Sequence, residues 1–149
     1  MPKITSFLMF ANGGADAVKF YTSQFDNAKL FGLQQNPDNG ALIHASFELD
    51  GQRFMAMDGG DSFSFAQGFS LMVNVETQVE IDRLWEAFTA DGGEPGRCGW
   101  LKDRWGISWQ IIPTVLGSLI CGPDPERNRR VMQSMMTMKK LMIADLENA

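Results

Sequence analysis

His44 is the only histidine in this 149-residue chain, and that one fact removes much of the chemistry open to a small protein. A histidine-rich metal site is excluded, as is the H-E-x-x-H hydrolase pattern, which needs two imidazoles one helical turn apart. A Ser-His-Asp or Cys-His nucleophile would have to run through His44. Cys98 and Cys121 make no metal-binding spacing, and together with one histidine they match no zinc finger or ribbon. His44 keeps two readings. It is a general base or ligand contact, because a neutral imidazole suits proton transfer near neutral pH, or it is a half-buried strand histidine satisfied by a neighbour. Trp100 and Trp105 could stack a flat ligand, although tryptophan more commonly fills turns and subunit seams.

The chain around these residues is 44% hydrophobic and 21% charged, enough to bury the core of one ordinary domain or of two half-size repeats. Its formal net charge of -5 sets up a field that repels nucleic acid and anionic membranes, so neither is expected as a partner. The longest apolar run, Val115 to Cys121, is far too short for a membrane span and contains Gly117 and Ser118. Met1-Pro2-Lys3-Ile4 leads straight into patterned sequence without a signal-peptide hydrophobic region. Two reduced thiols and a cytoplasmic location are the expectation.

Alternation and turn chemistry place strands at Ile4–Phe10, Lys29–Gln35, Leu42–Leu49 and Gln52–Met57, the last two joined by the hairpin dipeptide Asp50-Gly51. A helix runs from Ala15 to Phe25, with Ala17, Val18, Tyr21 and Phe25 at helical spacing. The order then returns: a strand at Phe69–Val75, a helix at Val79–Ala90, weak strands at Glu94–Cys98 and Trp100–Asp103, and a strand at Ile107–Ile112. Asp50-Gly51-Gln52-Arg53-Phe54-Met55 parallels Trp105-Gly106-Ile107-Ser108-Trp109-Gln110, each a turn glycine with an aromatic residue third along. The chain therefore reads as α+β, with two βαβββ repeats over about residues 3–58 and 68–113. Residues 1–122 form the repeat-bearing domain. Residues 123–149 form a C-terminal helical extension opened by Asp124-Pro125-Glu126, with a methionine-rich apolar side at Val131, Met132, Met135, Met136 and Met138.

Several segments then resemble a known family. They are Ile4-Thr5-Ser6-Phe7-Leu8-Met9-Phe10, Ala17-Val18-Lys19-Phe20-Tyr21, His44-Ala45-Ser46-Phe47, Phe54-Met55-Ala56-Met57-Asp58 and the long run from Gly99 to Gln110. Together they are similar to the PhnB-like branch of the vicinal-oxygen-chelate (glyoxalase/bleomycin resistance/dioxygenase) superfamily, over nearly all of Ile4 to Pro113. The resemblance implies curled mixed sheets forming a cleft, usually in a homodimer. In catalytic members it also implies a divalent metal held from the first and fourth strand of each module by His, Glu or Gln. The metal acts there as a Lewis acid. The ubiquinone methyltransferase label carried by some members gains nothing here, because Asn12-Gly13-Gly14-Ala15 is a glycine pair without a nucleotide-binding pattern.

Carried over place by place, the implied ligand positions fall at or beside Ser6, counted back from the helix residue Phe20, at Met55 and Gln110, counted on from the turn glycines Gly51 and Gly106, and at Ser70. Two hydroxyls, a thioether and an amide make a poor site for zinc, nickel or manganese, and a shift by one residue restores no metal site. No metal and no other cofactor is expected. Strand alternation turns Arg53, Met55 and Met57, then Ser70, Met72 and Asn74, then Ser108, Gln110 and Ile112 toward the cleft, with Ser6, Leu8 and Phe10 from the first strand. Such a mixed surface is either a small-molecule pocket or simply filled core. The reading taken forward is a metal-independent small-molecule-binding protein whose contacts are drawn from Ser6, His44, Met55, Ser70, Met72, Trp100 and Gln110. The alternative is an enzyme of the same superfamily, of lyase or dioxygenase type, using His44 or an atypical metal site.

Overall fold

The computed structural model describes residues 2–149. The chain divides into two compact units, residues 1–65 and 66–149. The first contains β1 (Ser6–Phe10), α1 (Gly14–Gln24), β2 (Ala28–Gln35), β3 (Leu42–Leu49) and β4 (Gln52–Asp58), in a sheet of order β1-β4-β3-β2. The second contains β5 (Ser70–Val75), α2 (Gln78–Thr89), β6 (Glu94–Pro95), β7 (Trp100–Lys102) and β8 (Ser108–Pro113), in a sheet of order β5-β8-β7-β6. Each unit pairs its first strand parallel to its fourth and runs the remaining neighbours antiparallel, so the two modules repeat strand for strand.

Short-range chemistry explains why these boundaries fall where the sequence places them. Asp50 (φ 49°) and Gly51 (φ 83°) both take the left-handed conformation that a two-residue hairpin requires, which sets the β3–β4 register. Asp58 closes the other end of the sheet: one carboxylate oxygen accepts the Gly14 N–H and the other the Leu42 N–H, each at 2.9 Å. That clamp starts α1 directly after the turn from β1. In the second module Thr77 accepts the Glu80 N–H and caps α2. The stripe Ile81, Leu84 and Phe88 is buried, and the Phe88 ring meets Trp109 edge-on at 4.8 Å.

Two segments differ from expectation. The strand foreseen at Glu94–Cys98 shrinks to two residues, because Cys98 (φ 57°) and Gly99 (φ 84°) turn the chain and direct their N–H groups away from the sheet. Val115 to Cys121 contains a short helix, α3 (Leu116–Ile120), which no periodicity announced. The expected tail helices form as α4 (Pro125–Met136), capped by Asp124, and α5 (Ile143–Glu147).

The tail packs within the second unit. Val131, Leu141 and Leu146 are fully buried and gather with Leu116 into a small core. The N–H groups of Cys98 and Gly99 donate to the carbonyls of Met138 (2.9 Å) and Lys139 (2.8 Å). Gln78 donates to the Leu141 carbonyl and accepts the Ile143 N–H. Met132 and Met136 stay exposed, so the packing stripe rests on Val131, Met135 and Met138.

Lys140 Nζ lies 2.8 Å from Asp82 Oδ1, and this contact holds the Asp82 carboxyl below its ordinary value of 3.8, with help from the Gln78 amide. A lowered folded-state value stabilises the fold above the unfolded value and is lost as pH falls through the folded one. Lys140→Ala is therefore expected to move the Asp82 titration upward in an NMR pH series and to flatten the dependence of stability on pH below about 4. An unmoved Asp82 titration would mean the ion pair does not form in solution.

Candidate functional site

Residues paired across neighbouring strands point to the same side of a sheet. In the second module Leu101, Trp109 and Ile111 are buried on the side of α2. The opposite face is then fixed by register. One row across it reads Glu94, Lys102, Ser108, Ser70, and the next reads Trp100, Gln110, Met72. Within this grid Gln110 Nε2 donates to Ser70 Oγ at 2.9 Å. Met72 is 55% exposed. The structure thus gathers Ser70, Met72, Trp100 and Gln110 on one face of one sheet. A hollow of about 290 Å3 opens beside them, lined by Trp100, Leu101, Lys102, Ser108, Glu94, Pro95, Gly96 and Gln67.

The first module carries the other predicted residues. Met55 and Met57 lie on the face opposite α1, and Ser46 pairs with Met55 and therefore shares that face. Arg53 also lies there, its Nε donating to Ser46 Oγ at 3.2 Å and its guanidinium carbon 3.9 Å from the Phe31 ring centroid. His44 is exposed, opposite Gln34 of β2, and its side chain forms no hydrogen bond among the described residues. Ser6 requires a correction. It pairs with Phe54, and Leu8 pairs with Ala56, so Ser6, Leu8 and Phe10 point to the α1 side, where Leu8 and Phe10 are buried. Phe7 and Met9 share the face of Met55 and Met57 instead. Counting back from a helix residue carries an error of one, and in a strand one residue reverses the face.

The repeat gives a better register than that count. Phe10–Asp58 in β1–β4 corresponds to Val75–Pro113 in β5–β8, which makes Thr5 the counterpart of Ser70. The long motif from Gly99 to Gln110 also receives a physical explanation. Asp103 is 2% exposed; its Oδ1 accepts the N–H groups of Trp105 (2.9 Å) and Ile107 (3.0 Å), and its Oδ2 accepts Trp109 Nε1 (2.9 Å). Most of that motif is the scaffold of the β7–β8 hairpin. Trp105 belongs to the turn, with the Arg104 guanidinium 4.8 Å from its ring, while Trp100 faces the hollow. Lys102 was absent from the expected contacts, although its alternation with Trp100 places it on the same face.

Residues 2–112 match the family model described as 3-demethylubiquinone-9 3-methyltransferase. The chain belongs to this PhnB-like family. A solved PhnB protein from Bacillus cereus, described as a putative 3-demethylubiquinone-9 3-methyltransferase, is 35% identical, covering 76% of this chain and 100% of its own, with a TM-score of 0.69. The fold of the wider glyoxalase/bleomycin resistance superfamily is shared with the fosfomycin resistance protein FosX of Listeria monocytogenes, solved with Mn(II) and sulfate. That match has 16% identity, covers 74% of this chain and 91% of that one, and has a TM-score of 0.53. A Pseudomonas aeruginosa protein matches at 21% identity over 76% and 98%, with a TM-score of 0.58. No curated protein sequence matches significantly.

The residues present in this PhnB-like chain do not fit a divalent metal. In the second module the two implied positions hold Ser70 and Gln110, a hydroxyl and an amide that bond each other. In the first they hold Met55 and, by the repeat register, Thr5. Among the described residues no group of three or more His, Cys, Asp or Glu side chains is placed to hold a metal ion. Hydroxyl, amide and thioether supply neither the anionic nor the imidazole donors that such ions prefer.

Proposed function

We propose that this protein binds a small organic molecule on the face of its second sheet opposite α2, without a metal ion. The observation that carries the reading is the Gln110–Ser70 hydrogen bond, which joins the two side chains at positions where metal ligands are implied. The mixed surface around it, with exposed Met72 and half-buried Trp100 beside polar Gln110 and Ser70, supports a ligand site of the usual composition. Met55 and His44 are the corresponding contact candidates on the first sheet. The methyl transfer in the family's name is not part of this reading. The Gly13-Gly14 turn, the one glycine pair near a helix start, spends its Gly14 N–H on Asp58 rather than leaving it for a cofactor phosphate.

The protein works as a homodimer in the cytoplasm on this reading. The free thiols Cys98 and Cys121 suit a reducing compartment. Exposed apolar side chains such as Phe7, Phe31, Met132 and Met136 suit burial against a second copy. Among the described residues no helix is long and apolar enough to cross a membrane. Metal analysis of protein purified without chelator, followed by calorimetric titration with zinc, nickel and manganese, is expected to give no stoichiometric binding. Tight one-to-one binding of any of them would overturn the reading and return the site to metal-assisted chemistry.

A further inference from the structure

The hollow on the second sheet carries more chemistry than its position alone. Ser108 is only 6% exposed, yet its hydroxyl has no hydrogen-bond partner among the described residues, and it lines the hollow. Among the described residues no buried side-chain oxygen or nitrogen lacks a partner, so this hydroxyl still meets solvent in the hollow and is free to bond a ligand atom. Lys102 stands next to it in the same row. Its ammonium has no ion pair among the described residues, although Glu94 is its direct cross-strand neighbour. Trp100, one row along, offers an indole surface with no ring or cation partner among the described residues.

The platform is held firmly. Gly96 N–H donates to the Trp100 carbonyl at 2.8 Å, and a side chain at Gly96 would strike that same oxygen at 2.7 Å. Cys98 and Gly99, immediately before Trp100, are tied to Met138 and Lys139 of the tail. A rigid aromatic surface with fixed polar groups loses little freedom when it binds.

We propose that this hollow is a binding site for a small aromatic carboxylate, with the ring against Trp100 and the carboxylate between Lys102 Nζ and Ser108 Oγ. A monoanion is preferred to a phosphate because exposed Glu94 stands in the same row and repels a second negative charge. The volume of about 290 Å3 lies at the lower end for ligand pockets and suits one or two fused rings. The inference deepens the reading of a metal-free binding face and rests on it.

The test uses the full chain in the presence of chelator, with 2-naphthoate, 2-naphthamide and inorganic phosphate as probes, followed by calorimetry and by amide chemical shifts. Saturable binding of 2-naphthoate is expected, at least tenfold tighter than the neutral amide, with phosphate not binding. The shifts should centre on Trp100, Lys102 and Ser108. Lys102→Met is expected to remove the preference for the acid over the amide, and Ser108→Ala to weaken the acid several-fold. Equal affinity for acid and amide, shifts centred elsewhere, or no naphthoate binding would overturn the proposal without needing either variant to fold. If naphthoate fails and the metal titrations are also negative, only this site falls. Stoichiometric metal binding would bring down the broader reading as well.

Discussion

Replacing Asp103 by alanine is expected to lower the unfolding free energy by about 3–5 kcal/mol, the largest effect of any polar substitution in the chain. The carboxylate is 2% exposed and accepts hydrogen bonds from the backbone of Trp105 and Ile107 and from the Trp109 indole. Alanine leaves those donors facing a small void, and each unsatisfied buried donor costs roughly 1–3 kcal/mol. Asparagine separates shape from charge. It keeps the volume, but whichever way its amide is turned, an NH2 group meets at least one N–H donor, so a loss of about 2–4 kcal/mol is expected. The conflict with Trp109 is tested by a double-mutant cycle. Trp109→Phe removes the indole donor, so Asp103→Asn should cost less in that background than in the native one. Urea denaturation of the four proteins gives the numbers. A loss below about 1 kcal/mol for Asp103→Ala would show that the hairpin is held by its backbone pairing and that the buried carboxylate is incidental.

Asp103 also shows what could and could not be read from the sequence. The run from Gly99 to Gln110 is the most specific stretch of the chain and invites a catalytic interpretation, yet most of its specificity serves a buried hydrogen-bond cluster. Spacing alone does not separate a carboxylate that holds a turn from one that holds a ligand. The module order was legible because it depends on local signals: the Asp50-Gly51 turn, the helical spacing of Ala17, Val18 and Tyr21, and the strand patterning of β3, β5 and β8. Facing was legible wherever an internal glycine anchored the count, as for Gln110 four residues after Gly106. It failed at Ser6, where the count ran back across a turn from a helix. The pairing of Ser70 with Gln110, forty residues apart, depends on parallel register between β5 and β8, which no local pattern encodes. Lys102 and Ser108 gain meaning only when the antiparallel β7–β8 register sets them side by side.

The C-terminal tail follows the two repeats as an extension, and a single leucine tests how far the second module depends on it. Leu141→Ala is expected to cost about 2–5 kcal/mol, the usual range for emptying a fully buried leucine position. Leu141 is 0% exposed and belongs to the cluster of Leu116, Val131 and Leu146. Its side chain also reaches toward Gly99, where an added Cβ would lie 3.1 Å from Leu141 Cδ1. The loss should therefore extend beyond the tail. Residues 138–139 supply the acceptors for the Cys98 and Gly99 N–H groups, so loosening Leu141 should speed hydrogen exchange at those two amides. Amides of β3 in the first module provide the internal control and should change far less. The same variant should weaken 2-naphthoate, because the segment it loosens immediately precedes Trp100. If stability falls while Cys98 and Gly99 exchange at their native rates, the tail contributes packing alone and the platform stands without it. If all three change together, the tail is part of the device that sets the binding face, and its helices place Trp100 as firmly as the sheet does.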